Sequence, residues 1–279
     1  MSIKTYSAAA LLALFVTAGL SSCGKKTDDD SATTVDTSTT VTSGSTDNVT
    51  ITPAEHGPQY AGAKIQIVSP REGQVIENAN DSVFVVLNVT GMEIAKPTQG
   101  DSTKGLNYSK QGQHIHVIID DKPYMANYVN GQPFNVGVLA SGAHTLRVFP
   151  SRSWHESVKV PAAFASRAFF VGAKPAGDSL AAELKQPFIT YSRPKGNYSA
   201  SDSVILLDFF ATNLKLDSAG HKVKVSVNGK EIATLSEWRP YHIRGLGNGE
   251  HTIALQLVDA QGNAVPGRFN NPSQKITIQ

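Results

Sequence analysis

The stretch Ser141-Gly142-Ala143-His144-Thr145-Leu146-Arg147-Val148 recurs about a hundred residues later as Asn248-Gly249-Glu250-His251-Thr252-Ile253-Ala254-Leu255. Each copy sets a glycine-containing tight turn ahead of alternating apolar residues, the pattern of a strand that leaves a hairpin with one face buried. Matching outward from the two copies brings whole lobes into register. Ser192-Arg193-Pro194-Lys195-Gly196 echoes the turn Ser69-Pro70-Arg71-Glu72-Gly73, Asp202-Ser203-Val204 echoes Asp81-Ser82-Val83, and Val225-Ser226-Val227-Asn228-Gly229-Lys230 echoes the segment from Val117 to Lys122.

The first lobe, residues 63–172, reads as seven short strands: Ile65 to Val68, Val83 to Val89, Ile115 to Ile119, Tyr124 to Tyr128, Phe134 to Leu139, His144 to Phe149 and Ala168 to Val171. The β-branched run Val83-Phe84-Val85-Val86-Leu87-Asn88-Val89 suits a central strand. The second lobe, residues 187–279, repeats the order. Seven short strands with no long amphipathic helix in either lobe predict an all-β chain of two tandem Ig-like antiparallel β-sandwiches. Residues 173–186 form the linker, with a brief helix behind Asp178 as N-cap.

Residues 1–22 carry an early Lys4, an apolar core and a small-residue end, which is the order of an export signal too short to span a membrane as a helix. Leu20-Ser21-Ser22-Cys23 resembles a bacterial lipobox, and that resemblance implies lipid on Cys23, the one cysteine of the chain. Without a second cysteine the body has no internal disulfide and must rest on apolar burial. Residues 23–60 read as a disordered Ser/Thr-rich tether with a span of roughly 35 Å. Asp28-Asp29-Asp30 behind the cysteine resembles the signal of Bacteroidota lipoproteins for the outer face of the outer membrane. The resemblance implies an outer-membrane, lipid-anchored protein, with the periplasmic and cell-surface sides both open. The 25 Lys and Arg stand against 23 Asp and Glu, and loss of Lys4 with the signal leaves 24 against 23, a charge of +1 that argues against nucleic acid as a partner.

The second lobe, through His251-Thr252-Ile253 and the turn Val258-Asp259-Ala260-Gln261-Gly262-Asn263, resembles the bacterial Ig-like domains found in tandem on envelope and surface proteins. The first, through Gly112-Gln113-His114-Ile115-His116-Val117-Ile118-Ile119-Asp120 and Gly142-Ala143-His144-Thr145-Leu146, is similar to a small bacterial domain family of unknown function with a histidine-rich strand before an apolar run and Asp. These resemblances imply an envelope location and binding more than catalysis.

Two site readings arise. The loop of residues 91–113 and the loop Pro150-Ser151-Arg152-Ser153-Trp154-His155-Glu156-Ser157 should meet at one end of the first sandwich. There Tyr108 and Trp154 would stack on a ligand ring, Lys104 and Arg152 would fix an anionic group, and His155 and Glu156 would complete a site for a glycan, peptide or envelope protein. In the alternative, His114 and His116, two apart on a strand and so on one face, grip copper or zinc with His155 or Glu156 as third ligand. Outside that alternative no cofactor is expected. Equally, the histidines would line the solvent face of a strand and Trp154 would plug the loop. His144 and His251, equivalent in the two copies, read as structural. No Gly-x-Ser-x-Gly elbow, phosphate-binding glycine loop, His-Glu-x-x-His or thiol nucleophile appears, so an enzyme is not expected. The favoured reading is non-catalytic binding or presentation of a ligand through the loop end of the first domain.

Overall fold

The computed structural model describes residues 46–77, 80–100 and 105–279. The signal segment, Cys23, the tether up to residue 45 and Lys104 lie outside the described residues. A strand β1 (Thr50–Pro53) comes first. The first lobe follows with β2 (Lys64–Ser69), β3 (Val75–Ile76), β4 (Ser82–Thr90), β5 (His114–Ile119), β6 (Met125–Asn127), β7 (Pro133–Val138), β8 (Gly142–Ser151) and β9 (Ala165–Val171). After the one-turn helix α1 (Leu180–Glu183), the second lobe runs through β10 (Phe188–Arg193), β11 (Gly196–Tyr198), β12 (Ile205–Thr212), β13 (Lys222–Val227), β14 (Lys230–Leu235), β15 (Tyr241–Arg244), β16 (Gly249–Val258) and β17 (Ser273–Ile278).

Both lobes are β-sandwiches with one topology. In the first, a sheet ordered β2-β4-β7 faces one ordered β3-β9-β8-β5-β6; in the second, β15-β12-β10 faces β11-β17-β16-β13-β14. Alternation drives the packing. Along β4 the side chains of Val83, Val85, Leu87 and Val89 are buried while their neighbours are not, and each such side chain contributes about 1.5–3 kcal/mol on full burial. The expected first strand differs in one respect. The Pro-Gly turn ends it as read but also passes the chain to the opposite sheet, where β3 runs parallel to β9 and, in the second copy, β11 runs parallel to β17. The linker helix starts one residue later than read, with Ser179 at the N-cap position.

Two features were not expected. The segment assigned to the tether is part of the fold from about Val49: β1 adds to the edge of the second lobe's sheet, Ile51 opposite Ile243, and the Arg239 guanidinium donates to the Ala54 carbonyl at 2.7 Å. The Ser/Thr content hid Val49, Ile51 and Ala54, whose apolar side chains suffice for one edge strand. Second, β5, β10 and most of β8 and β12 are buried on both faces. The outer face of β5 and β8 packs on the second lobe, with Ile118, Tyr124 and Phe149 against Phe210 and Trp238. A second contact joins Ala168 to Leu180, Leu184, Phe188 and Phe269. Lys159 and Asp208, both buried, form an ion pair across the same junction. The histidine strand therefore lies between two sandwiches, with no face to solvent.

Candidate metal centre

His114 and His116 project from one face of β5, as the period of two requires, and each is fully buried. The third imidazole arrives from the loop after β8. Arg152 N–H donates to the Glu156 carbonyl at 2.9 Å and His155 N–H to the Arg152 carbonyl at 2.8 Å, closing a tight turn that holds His155 at φ 69°. The second lobe builds the same turn after β16: Asp259 N–H donates to the Asn263 carbonyl at 2.9 Å and Gly262 N–H to the Asp259 carbonyl at 3.1 Å, with Gly262 at φ 86°. The left-handed slot that takes glycine at no steric cost in one copy is filled by histidine in the other. A left-handed backbone costs a residue with a Cβ roughly 1–2 kcal/mol, and such strain collects at functional sites.

The turn is held rigid from behind. The Arg152 guanidinium pairs with the Glu156 carboxylate at 3.1 Å, Trp154 Nε1–H donates to Glu156 Oε2 at 2.8 Å, and Arg152 also donates to the carbonyls of Ser157 and Pro58. The two loops do meet: Ser109 N–H donates to the Ser153 carbonyl at 2.7 Å, and Ser153 N–H donates to Thr98 Oγ1 at 3.0 Å.

This geometry corrects the ligand-face reading. Arg152, Trp154 and Glu156 are 0%, 1% and 2% exposed, so Trp154 offers no face to a ring and Arg152 no free fork to an anion. Their hydrogen-bonding groups satisfy one another, and polar groups so placed can be buried. Tyr108 alone of the described ligand-face residues is exposed, 42%. Glu156, engaged by Trp154, Arg152 and the Gly57 N–H, is no part of the histidine cluster.

His114 Nε2, His116 Nε2 and His155 Nδ1 converge within 4.8 Å of one another. His114 Nε2 lies 3.1 Å from His116 Nε2 and 3.0 Å from His155 Nδ1. The outer nitrogen of His114 fixes its tautomer. His114 Nδ1 stands 2.9 Å from the Gly112 carbonyl, which can only accept; that nitrogen therefore carries the proton and Nε2 presents a lone pair. His116 Nδ1 reaches Ser192 Oγ in the second lobe at 3.2 Å, a hydroxyl that orients the ring and can either donate or accept. Burial keeps all three rings neutral, pulling His114 down to about 4, His155 to about 2 and His116 well below its ordinary 6.5.

Residues that sequence reasoning missed surround the cluster. Tyr124 stacks on His116 at 3.5 Å between centroids and 6° between planes, and its hydroxyl is 3.1 Å from His155 Nδ1. Tyr128 lies 5.1 Å from His114. From the second lobe, Lys195 Nζ sits 4.1 Å from the Tyr124 ring centre and donates to the Tyr124 carbonyl at 2.6 Å, while Arg193 lies 5.3 Å from the same ring. The hairpin placing Tyr124 beside His116 was readable from the turn at Asp120 to Pro123; Ser192, Arg193 and Lys195 were not, because no local pattern announces the packing of one lobe on the other.

His144 and His251 hold matching structural posts. His144 Nδ1 is 2.8 Å from Asp120 Oδ2 and His251 Nδ1 is 3.3 Å from Asn228 Nδ2, while Asp120 Oδ1 and Asn228 Oδ1 each accept from the N–H of the following threonine. Trp238 packs edge-on against Phe210 and donates to the Phe209 carbonyl.

No family model and no curated protein matches this chain. Among solved structures it is similar to the fibronectin(III)-like modules of Clostridium thermocellum CbhA, with 15% identity, 77% of this chain, 94% of that chain and a TM-score of 0.27. It is also similar to the Bacteroides ovatus mixed-linkage glucan utilization locus protein SGBP-B, crystallised with a mixed-linkage heptasaccharide, with 14% identity, 77% of this chain and a TM-score of 0.23; there the chain spans 47% of the other protein. Dimeric latent PorU from Porphyromonas gingivalis gives 14% identity, 77% of this chain, 20% of that chain and a TM-score of 0.25.

Proposed function

We propose that this protein binds a transition-metal ion of the copper and zinc class at His114, His116 and His155, as a non-catalytic component of the bacterial cell envelope held by lipid on Cys23. The observation that carries the reading is the convergence of three imidazole nitrogens within 4.8 Å. Metal–imidazole bonds of about 2.0–2.1 Å separate ligand nitrogens by roughly 3.3–3.6 Å in trigonal or tetrahedral arrays, so small side-chain shifts admit an ion.

Two further features support it. Each outer nitrogen of His114 and His116 has an oxygen partner, the arrangement that orients metal-bound imidazoles. His155 also occupies a strained backbone position that the sister lobe gives to glycine. A ring held there for packing alone would be a poor use of the slot. The envelope location rests on the lipobox resemblance, and glycan or peptide binding at the loop end loses Trp154 and Arg152 to the interior.

The test is metal content of the purified full chain by elemental analysis, with thermal shifts on adding Cu(II) or Zn(II), beside His114→Ala/His116→Ala. One equivalent of metal and a stabilisation lost in the variant are expected; no uptake by the folded wild-type chain would refute the reading.

A further inference from the structure

The centre's surroundings discriminate between metal charges. His114, His116 and His155 are neutral donors, and among the described residues no carboxylate or thiolate joins them within ligand distance. Two cations stand over the ring beside the cluster: Lys195 Nζ over the Tyr124 ring at 4.1 Å, and the Arg193 guanidinium at 5.3 Å from it, with that ring stacked on His116 at 3.5 Å. His114 and His116 are completely buried.

Resting on the metal-binding reading above, we propose that the site selects monovalent copper over divalent ions. The Coulomb penalty from the two cations doubles between a +1 and a +2 ion, and the cost of moving an ion from water into a buried site grows with the square of its charge. No anionic side chain offsets either term. Coordination demand points the same way. Zn(II) in proteins takes four ligands, with water as the fourth where three side chains bind it, and would have to carry that water into a buried centre here, whereas a d10 Cu(I) ion is satisfied by three nitrogens. Irving–Williams order alone would favour Cu(II) among divalent ions; the two cations and the missing carboxylate act against that order without penalising Cu(I) equally.

The experiment titrates the purified full chain anaerobically, with ascorbate present, against a chromophoric Cu(I) chelator, and in parallel against a chromophoric Zn(II) chelator, with Ag(I) as a redox-inert +1 competitor. One Cu(I) per chain is expected, held at least a hundredfold more tightly than Zn(II) and displaced by Ag(I). Lys195→Gln, with folding checked by circular dichroism, should narrow the Cu(I)-over-Zn(II) ratio several-fold by improving Zn(II) binding more than Cu(I) binding. Zn(II) binding as tightly as Cu(I), or an unchanged ratio in folded Lys195→Gln, overturns the selectivity while leaving a metal site. Should Lys195→Gln not fold, the wild-type ratio decides alone. Absence of binding by any of the three ions removes the metal reading itself.

Discussion

His155 Nδ1 stands 3.0 Å from His114 Nε2 although 41 residues separate them. The contact exists because β8 pairs with β5, His114 opposite Ser151, so that the loop leaving β8 starts beside the first histidine. The turn then aims residue 155 at the strand only in a left-handed conformation, which the sister lobe achieves with Gly262.

That substitution in reverse is the sharpest separation of metal binding from folding. His155→Gly should restore the conformation the turn prefers, recovering roughly 1–2 kcal/mol of backbone strain against the lost contacts of the ring. The unliganded variant should therefore melt within a few degrees of the wild type while its metal-induced shift disappears. Differential scanning calorimetry with and without metal measures both, and a variant that keeps the full shift excludes His155 as a ligand.

Ser192 reaches His116 from the other lobe at 3.2 Å. As the hydrogen-bond partner of His116 Nδ1 it acts by positioning the ring, and loss of such a partner typically costs 10–100-fold in metal affinity. Ser192→Ala should weaken binding by that factor with unchanged stoichiometry, and Ser192→Thr should recover most of it. Unchanged affinity in folded Ser192→Ala would show that His116 is oriented by the stack with Tyr124 alone.

Asp120 and His144 supply a pH-dependent element that the second lobe lacks, because Asn228 replaces the carboxylate there. The hydrogen bond to Asp120 raises His144 above its ordinary 6.5. Although burial opposes it, hydrogen bonding to His144 and Thr145 pulls Asp120 below 3.8. A raised histidine stabilises the fold fully below 6.5 and loses that contribution as pH rises through its folded value; a lowered carboxylate stabilises above 3.8 and loses that contribution as pH falls through its folded value. The stability difference between wild type and Asp120→Asn should thus be largest between about pH 4 and 6.5 and shrink on both sides. Denaturant midpoints at pH 3, 5 and 8 check this, and a pH-independent difference would refute it.

The sandwiches were legible because strand alternation and the repeat are local: Val83, Val85, Leu87 and Val89 declare a buried face from sequence alone. The histidine pair was legible as chemistry for the same reason, since residues two apart on a strand share a face. What hid was the burial of that face. Ile118, Phe149 and Phe210 read as ordinary strand residues, and nothing in them distinguishes an outer face meant for water from one meant for the neighbouring lobe. Trp154 and Arg152 misled in the opposite sense, because side chains typical of ligand recognition also satisfy each other around Glu156 when buried. The β1 segment escaped because three apolar residues in a polar run fall below what periodicity can detect.

That segment carries the last prediction. From Asn48 to Tyr60 the chain straps both lobes, pairing with β15 on one and lying under Arg152 and Trp154 on the other. Two glycines mark where it fits closely. A Cβ on Gly245 would stand 2.2 Å from the Asn48 carbonyl oxygen, and one on Gly57 would stand 2.5 Å from the Trp154 ring and 2.6 Å from the Arg152 side chain. Gly245 is also at φ 80°, so alanine there is strained as well as crowded. Gly57→Ala meets side chains packed around the Glu156 ion pair and should cost about 1–3 kcal/mol, the usual penalty for overfilling a packed site. Because Gly57 N–H also donates to Glu156, the same change should loosen the turn holding His155 and lower metal affinity, whereas Gly245→Ala, acting on the second lobe, should free the strap near Asn48 without altering the metal site. Limited proteolysis across residues 46–60 and metal titration of the two variants separate these effects. Equal metal affinity in both, with cleavage no faster than in wild type, would mean that the strap is incidental to the centre.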